Sequence, residues 1–364
     1  MKRSVIIVIS VLMVVLSRIL VSCDSNADSE ENFIQGRDCI YLAGMPGTYL
    51  FDMAIDNNNI FYYFTGETDK EAWAKTPAHS SSIPMKGYLS RKDEEIGKFE
   101  ILVEYFGGKL CFDKNNKLLV LHSNAIYKLD DNSFDKTKIL ETNKEYSGSL
   151  SFIAVDNDNN IWTGGLQTGL YKIDNELNVT HYNVNNSILP TNSMTAIHID
   201  KNNNIWIALW EYMGVLKISN DQWEVYSNIS SNNIWSLITD KNGHLWIGTG
   251  FFNEANQSLR CFDGTKWETI NPQNKKNEMV KGSVRHLQSD GKKIYVVSEH
   301  VNVFPGGGGA ELTSNELYTF DGTIWNKIYD IPDDDSIRDL IVDHFRKAMW
   351  VITAKKGIVK IPFD

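Results

Sequence analysis

An aspartate recurs seven times along this chain, each time where an apolar run ends and a short polar turn begins. After the turn the chain resumes with a hydrophobic pair, as in FIAVDNDNNIW (152–162), AIHIDKNNNIW (196–206) and SLITDKNGHLW (236–246). Successive copies lie 40 to 57 residues apart, with anchors at Asp56, Asp113, Asp156, Asp200, Asp240, Asp290 and Asp343. A repeat of roughly 40 to 50 residues, made of short strands and tight turns, is typical of β-propeller blades.

The repeat predicts an all-β fold, a seven-bladed β-propeller of four-stranded blades, over residues 37–364. Around Asp156 we predict strands at 150–155, from Ile161, at 169–173 and at 179–184, with a polar turn joining the first two. The first strands are nearly continuous apolar runs, as expected of strands covered on both faces. The aromatic residues after the turns are expected to wedge between blades, above all Trp162, Trp206, Trp246 and Trp350.

The two ends of the propeller are predicted to meet in the last blade. The seventh copy ends near Ile361 with three strands, whereas the other copies continue to a fourth. The segment DCIYL at 38–42 precedes the first blade and has strand character. We therefore expect it to supply the missing outer strand, which would close the ring and remove an exposed sheet edge.

The N-terminus has the pattern of an export signal. Two basic residues precede an apolar run at 5–16, which is shorter than the roughly 20 residues that a membrane span needs. The sequence LVSC at 20–23 resembles the lipobox of bacterial lipoproteins, in which the cysteine carries lipid. We predict a signal peptide at 1–22 and lipidation at Cys23.

Composition favours an extracytoplasmic binding module. The polar, acidic segment 23–36 is expected to be a flexible tether between the lipid and the propeller. The expected location is the outer membrane of a Gram-negative bacterium, in its surface or its periplasmic leaflet, with the lipid anchor as the membrane contact. The net charge is −10 and no basic block occurs, so no nucleic-acid partner is expected. Apart from Cys23, three cysteines are present, and because this number is odd they cannot all pair in a disulfide framework.

The repeats resemble a known family. DKNGHLWIGT at 240–249, GLYKID at 169–174 and GIVKI at 357–361 are similar to the repeat of the two-component regulator propellers, and the resemblance spans about 49–361. It implies a propeller fold. Members of this family often form periplasmic sensor halves of kinase-linked receptors that detect glycans. Because the sequence ends at Asp364 without a kinase, we do not expect that signalling role here.

One position in the inner strand differs from its neighbours. Five residues before the anchors stand Phe51, Gly108, Ser151, Thr195, Trp235, Arg285 and Arg338, whereas the adjoining positions look largely apolar. A position that varies from Gly to Trp to Arg is predicted to face the central funnel, free of blade packing. The loops after the second strands should lie on the same face and carry Trp210, Glu211, Tyr212, Phe251, Glu299 and His300.

This funnel mouth is the predicted binding site. Its expected ligand-binding residues are Thr195, Trp210, Tyr212, Trp235, Phe251, Arg285 and Arg338. Aromatic side chains beside guanidinium groups favour a flat or ring-shaped ligand with hydroxyl or acidic groups. The alternative is that the aromatic side chains simply fill a closed funnel.

Three functions stay open at the level of sequence. The first is ligand binding by a lipoprotein, with a carbohydrate as the expected ligand. The second is an interaction platform for a partner in an outer-membrane protein complex. The third is a metal-assisted lyase or hydrolase, by analogy with propeller lyases, with Glu211, Glu299 and His300 as candidate catalytic residues. The sequence has no HExxH, CxxC or GxSxG motif, and we expect no cofactor and no metal. The enzyme question stays open, although the missing motifs favour a binding protein over an enzyme.

Overall fold

The computed structural model describes residues 39–40, 49–68, 85–92, 99–104, 108–122, 124–130, 136–142, 148–227, 229, 234–250, 258–270, 282–303, 310–331, 337–353 and 358–362. These residues form 28 strands in seven antiparallel sheets of four strands each. None of the described residues belongs to a helix, and so no helix that could span a membrane occurs among them. The predicted all-β propeller with seven four-stranded blades is confirmed.

Each sheet is one blade, with its strands in sequence order from the centre outward. Blade one consists of β2 (Tyr49–Ile55), β3 (Phe61–Thr68), β4 (Met85–Lys92) and β5 (Phe99–Glu104). Blade two consists of β6 (Lys109–Phe112), β7 (Leu118–His122), β8 (Ala125–Leu129) and β9 (Lys136–Glu141). Blade three consists of β10 (Ser149–Val155), β11 (Ile161–Leu166), β12 (Leu170–Ile173) and β13 (Val179–Tyr182).

The remaining blades repeat this order. Blade four consists of β14 (Met194–Ile199), β15 (Ile205–Leu209), β16 (Gly214–Ser219) and β17 (Gln222–Tyr226). Blade five consists of β18 (Ile234–Thr239), β19 (Leu245–Thr249), β20 (Leu259–Phe262) and β21 (Trp267–Thr269). Blade six consists of β22 (Ser283–Ser289), β23 (Ile294–Val303), β24 (Ala310–Phe320) and β25 (Trp325–Ile331). Blade seven consists of β26 (Ile337–Asp343), β27 (Ala348–Thr353), β28 (Ile358–Pro362) and β1 (Cys39–Ile40).

The ring is closed by the start of the chain. Strand β1 pairs antiparallel with β28, with Cys39 opposite Val359 and Ile40 opposite Ile358. The inner strands β2, β6, β10, β14, β18, β22 and β26 contact one another in a closed cycle, in which β26 meets β2. The predicted closure by the segment at 38–42 is therefore confirmed for its described residues.

The core is divided between the blades. Among the described residues, the buried apolar side chains form seven clusters, one at each junction between neighbouring blades. Trp162 of blade three packs with Met194 and Ile207 of blade four, and Trp350 of blade seven packs with Phe61 of blade one. The tryptophans therefore wedge between blades as predicted, and each junction adds buried apolar area that stabilises the ring.

The turn after each inner strand explains why the repeat needs an aspartate. In blade three, Asp156 Oδ1 accepts the backbone N–H groups of Asp158 and Asn160, at 3.0 and 2.8 Å. Its Oδ2 accepts the indole N–H of Trp162 at 2.9 Å. One carboxylate thus shapes the turn and also fixes the orientation of the tryptophan that fills the blade junction.

A belt of asparagines links the turns of successive blades. Asn116, Asn159 and Asn203 adopt left-handed conformations, with φ of 61°, 64° and 63°. The side-chain Oδ1 of each accepts a backbone N–H from the turn of the preceding blade, at 2.7 to 2.8 Å; the donors are Asn57, Lys114 and Asn157. Asparagine tolerates this conformation better than most residues, so it serves both the turn and the junction.

Candidate functional site

The sequence position predicted to face the funnel is a β-bulge in six blades. The pairing of the first and second strands skips one residue in each of these blades, namely Phe51, Ser151, Thr195, Trp235, Arg285 and Arg338. We call these residues the bulge ring. A bulge leaves its extra residue outside the hydrogen-bond ladder and redirects the side chain, which is why bulges recur beside binding sites.

Blade two is the exception to the bulge ring. Gly108 occupies the equivalent position, ahead of β6. A Cβ atom on Gly108 would come within 2.4 Å of the carbonyl oxygen of Leu121, so no larger residue fits there without a shift of the backbone. The next residue, Lys109, extends its ammonium group to Asp52 of blade one and Asp339 of blade seven.

Three predicted site residues are in direct contact across blades four, five and six. The Arg285 guanidinium lies over the Trp235 ring, with its Cζ 4.3 Å from the ring centroid. The Trp210 and Trp235 rings meet edge to face, with centroids 5.8 Å apart. Glu299, in the second strand of blade six and opposite the start of the first strand, approaches Arg285 with Oε2 3.1 Å from Nε. We call Trp210, Trp235, Arg285 and Glu299 the Trp–Arg cluster.

Backbone geometry fixes the Trp235 indole within this cluster. Its N–H donates to the carbonyl oxygen of Gly250 at 2.8 Å. Gly250 has φ of 126°, and a Cβ atom there would lie 2.8 Å from Ser283 Oγ of the next blade. Only glycine suits a position that combines this φ with so close an approach, so Gly250 indirectly sets the orientation of the indole.

The electrostatics of the cluster involve two guanidinium groups and one carboxylate. Burial raises the pKa of Glu299 above its ordinary value, while the nearby Arg285 and Arg338 act in the opposite direction. Arg285 Nε and Glu299 Oε2 form an ion contact, but the N–H is not aligned for a hydrogen bond. The pair is therefore attracted mainly by charge, and the donor groups of the guanidinium are not satisfied by Glu299.

The other predicted residues make different contacts or lie outside the described residues. Thr195 donates its hydroxyl proton to the carbonyl of Ile234, so it links blades four and five. Tyr212 is 63 % exposed at the rim, in the same turn as the exposed Glu211. Cys23 and Phe251 lie outside the described residues, as does the side chain of His300, together with the segments predicted at 1–22 and 23–36.

A network of charged residues in the central channel was missed by sequence reasoning. The Lys109 ammonium lies 3.2 Å from Asp52 Oδ1 and 3.5 Å from Asp339 Oδ2. Asp52 Oδ2 also accepts the backbone N–H of Leu110 at 2.6 Å. Together with His286, these residues occupy the position four before the anchors, so the expectation that positions beside the bulge are largely apolar is wrong there. We call Asp52, Lys109, His286 and Asp339 the channel ion network.

Burial shifts the titration of this network. Loss of hydration raises the pKa of Asp52 to about 6, although the Lys109 ammonium acts against the shift. The Asp52 carboxylate in turn raises the pKa of Lys109. Burial lowers the pKa of His286 to about 4, so its imidazole is neutral at physiological pH. A comparison of the fourth position before each anchor in all seven repeats could have revealed this network.

The chemistry available at this face is recognition by stacking and by charged hydrogen bonds. The indoles offer apolar surface, and the guanidinium groups offer planar sets of donors. Within the described part of the chain, no three histidine, cysteine or acidic side chains are grouped as metal ligands. Among the catalytic candidates, Glu299 is engaged with Arg285 and Glu211 is exposed.

The described residues form a seven-bladed propeller with β-bulges in the inner strands of six blades. Residues 188–211 and 228–251 match the sequence profile of the two component regulator propeller family. Each of these segments contains the inner strand, the aspartate turn and the second strand of one blade, blades four and five respectively. Two repeats of the chain, those of blades four and five, thus match the two component regulator propeller repeat that the sequence resemblance predicted. No curated protein sequence matches the chain.

Solved structures of the same fold belong to proteins with different roles. The chain is similar to the extracellular domain of a hybrid two component system from B. thetaiotaomicron, at 12 % identity and a TM-score of 0.63, over 90 % of this chain and 42 % of that one. It is similar to virginiamycin B lyase from Staphylococcus aureus, at 9 % identity and a TM-score of 0.62, over 89 % of this chain and 98 % of the lyase. It is also similar to YCF48 bound to D1 peptide, at 11 % identity and a TM-score of 0.58, over 92 % of this chain and 99 % of that one.

These likenesses establish the fold alone, because identities this low do not carry function. The chain spans less than half of the length of the two component system domain that it matches. The role of this chain therefore has to be argued from its own side chains.

Proposed function

We propose that this chain is a lipid-anchored, extracytoplasmic propeller of a bacterial outer membrane that binds a saccharide at the mouth of its funnel. The contact among Trp210, Trp235 and Arg285 carries the proposal. Indole rings provide apolar surface for the face of a sugar ring, and a guanidinium group provides donors for its oxygen atoms. A concave face with a few placed polar groups is the usual form of a small-molecule site.

The position of these residues supports recognition rather than packing. Trp235 and Arg285 are bulge residues, so their side chains are not required by the strand ladder. Both are partly exposed, whereas the wedge tryptophan Trp162 is 3 % exposed. The export signal at 1–22 agrees with the extracellular origin of the structurally similar two component system domain.

Calorimetric titration of the purified propeller with a panel of oligosaccharides tests the binding proposal. We expect Trp235→Ala to weaken binding at least tenfold, about 1.4 kcal/mol, while the melting temperature stays close to that of the parent. Trp162→Ala is the matched control, because it removes a wedge between blades and should cost about 3 to 5 kcal/mol of unfolding free energy. If Trp235→Ala unfolds as readily as Trp162→Ala, the indole is core and the site assignment fails.

Membrane attachment is tested separately at Cys23. A Cys23→Ala variant should incorporate no labelled lipid and should leave the detergent phase on partitioning, because the thiol is the proposed site of acylation. Cys261→Ala is the control, since that thiol lies in the third strand of blade five and should have no effect on partitioning. Unchanged membrane attachment of Cys23→Ala would remove the lipoprotein proposal.

An interaction platform is the second candidate, favoured by a different surface. The outer edge of blade three exposes four apolar side chains, each 42 to 56 % exposed: Leu177, Val179, Val184 and Ile188. Exposed apolar side chains beside an edge strand are a common feature of protein association sites. A Val179→Lys, Ile188→Lys variant should lose a cross-linked outer-membrane partner yet keep saccharide binding; a partner captured equally by this variant would argue against this surface.

A further inference from the structure

The Arg285 guanidinium is held in place but has donors to spare. It stacks on Trp235 at 4.3 Å, and its side chain is 25 % exposed. Its Nε approaches Glu299 to 3.1 Å without hydrogen-bond geometry, and this nitrogen is buried with no other acceptor among the described residues. A buried polar nitrogen without an acceptor is costly and uncommon, and in a cleft it points to a missing ligand group.

The shape of this donor set selects the chemistry of that group. A guanidinium group presents a rigid fork of N–H donors that matches a carboxylate in a bidentate arrangement. Stacking on an indole fixes the plane of the fork before the ligand arrives, which lowers the entropy lost on binding. A neutral hydroxyl group could accept only part of this donor set.

Local charge points the same way. Arg285 and Arg338 place two positive charges near one carboxylate, that of Glu299, whereas the whole protein carries a net charge of −10. An acidic protein repels anions in general. The two guanidinium groups beside Glu299 therefore act as a specific site rather than a general attraction.

We propose that the ligand is an acidic saccharide, a uronic acid oligosaccharide, whose carboxylate is bound by Arg285. This inference rests on the proposed saccharide-binding function and narrows its ligand class. The carboxylate completes the hydrogen bonds of the guanidinium, and the sugar ring lies against the exposed part of the Trp–Arg cluster. Glu299 is a positioning residue, which holds Arg285 near the mouth and competes with the ligand for it.

The experiment compares matched ligands that differ only in charge. The propeller is titrated with oligosaccharides of galacturonate, glucuronate and mannuronate, and with the carboxyl-reduced form of each. Neutral oligosaccharides such as galactan and mannan complete the panel. We expect at least one uronate to bind about tenfold or more tightly than its reduced form, because the reduced ligand leaves donors unpaired.

Two substitutions separate the carboxylate contact from a structural role. Arg285→Lys keeps the charge but loses the fork, so it should weaken binding of the acidic ligand more than binding of the reduced one and remove most of the preference for the acid. Glu299→Gln removes the competing carboxylate, so the acidic ligand should bind to this variant several-fold more tightly. Lys217→Gln is the control, because it removes another cation stacked on an indole, that of Trp206, away from the funnel mouth.

The outcomes distinguish this inference from the function on which it rests. Equal binding of acid and reduced forms, or binding of neutral glycans alone, overturns the acidic ligand but leaves saccharide binding in place. Binding of no member of the panel overturns both. Weaker binding of the acidic ligand to Glu299→Gln would overturn the competition between Glu299 and the ligand for Arg285, and with it the assigned contact.

Discussion

At the scale of single residues, the anchor aspartates show how a repeat can tolerate different neighbours. One carboxylate oxygen always shapes the turn, while the other accepts whatever donor its blade supplies. In blade six this donor is the hydroxyl group of Tyr295 on Asp290, at 3.0 Å. In blade two, where Leu119 replaces tryptophan, the Lys128 ammonium reaches Asp113 from the third strand at 2.7 Å. The aspartate is thus kept although its partner changes.

The titration of Asp52 gives a prediction at this scale. Burial raises its pKa from 3.8 to about 6, so the folded state binds this proton more tightly than the unfolded chain does. The stability that Asp52 contributes is therefore complete below pH 3.8 and is lost as the pH rises through about 6. Because Asp52→Asn cannot titrate, the unfolding free energy of this variant minus that of the parent should increase by about 2 kcal/mol from about pH 4 to about pH 7.

Urea denaturation at several pH values measures this difference. Asp263→Asn is the control, because backbone hydrogen bonds lower the pKa of Asp263 to about 2. Its contribution is present above its unfolded pKa and is lost only as the pH falls toward 2, so its difference curve should be flat over the same range. A flat curve for Asp52→Asn as well would contradict the raised pKa of the buried carboxyl group.

At the scale of elements, the turns between the first and second strands do more than reverse the chain. Three left-handed asparagines also carry hydrogen bonds from one blade to the next. The belt stops at blade five. There Gly243, with φ of 83°, occupies the turn position that asparagine has in blades two to four, and it has no side chain that could accept a hydrogen bond. The corresponding donor in the preceding turn would be the backbone N–H of Lys201.

Gly243→Asn should restore the missing link and stabilise the protein. A Cβ atom at Gly243 would meet no heavy atom within 4 Å, and asparagine tolerates a positive φ. We expect a gain of about 0.5 to 1.5 kcal/mol in unfolding free energy, from one hydrogen bond and a less flexible unfolded chain. Chemical denaturation measures the gain.

The control is Gly264→Asn, in an outer turn of the same blade that also has a positive φ and open space. Gly264→Asn also restricts the unfolded chain, but its side chain lies in no position to bond to a neighbouring blade. An equal gain in both variants would show that the junction hydrogen bond contributes nothing.

Inner elements were predictable from the sequence because the aspartate fixes their ends. The strand expected at 150–155 is observed as Ser149–Val155, whereas the outer strand expected at 179–184 stops at Tyr182. Trp235 and Arg285 could be singled out because a bulge residue lies outside the strand ladder, although Phe51 at the same place still packs against the junction of blades one and two. The channel ion network could not, since Asp52, Lys109 and Asp339 come together only when the ring closes and apolar periodicity carries no such information.

At the scale of the whole molecule, the junction of the first and last blades is secured at three distances from the axis. At the outside, β1 pairs with β28. In the channel, Lys109 lies between Asp52 of blade one and Asp339 of blade seven. At the turns, Arg346 donates to the carbonyl oxygen of Asn59 at 2.9 Å. A propeller has to close somewhere, and here the closure does not depend on the outer strand alone.

A disulfide test reports on the outer closure. Val359 lies opposite Cys39 in the antiparallel pair, where Cα atoms are about 4.5 to 5.5 Å apart. Oxidised Val359→Cys should therefore form an intramolecular cross-link to Cys39, seen by peptide mass, and unfold at a higher temperature, with a gain of up to about 5 kcal/mol.

Ile358→Cys is the matched control, since its partner in the pair is Ile40 and no thiol faces it. The cross-link should be absent in that variant. Comparable cross-linking in both variants, or none in Val359→Cys, would show that the start of the chain does not hold this register in solution.

The bulge ring has a consequence for how such a propeller can be changed. A residue outside the strand ladder can be exchanged without moving the pairing of its neighbours, so codons at four places, those of Ser151, Trp235, Arg285 and Arg338, alter the chemistry of this face while the blades keep their geometry. Phe51 and Thr195 are excluded because each contacts a neighbouring blade. A library randomised at these codons should yield mostly folded proteins with diverse selectivity. New ligand preferences would then require neither insertions nor a new scaffold.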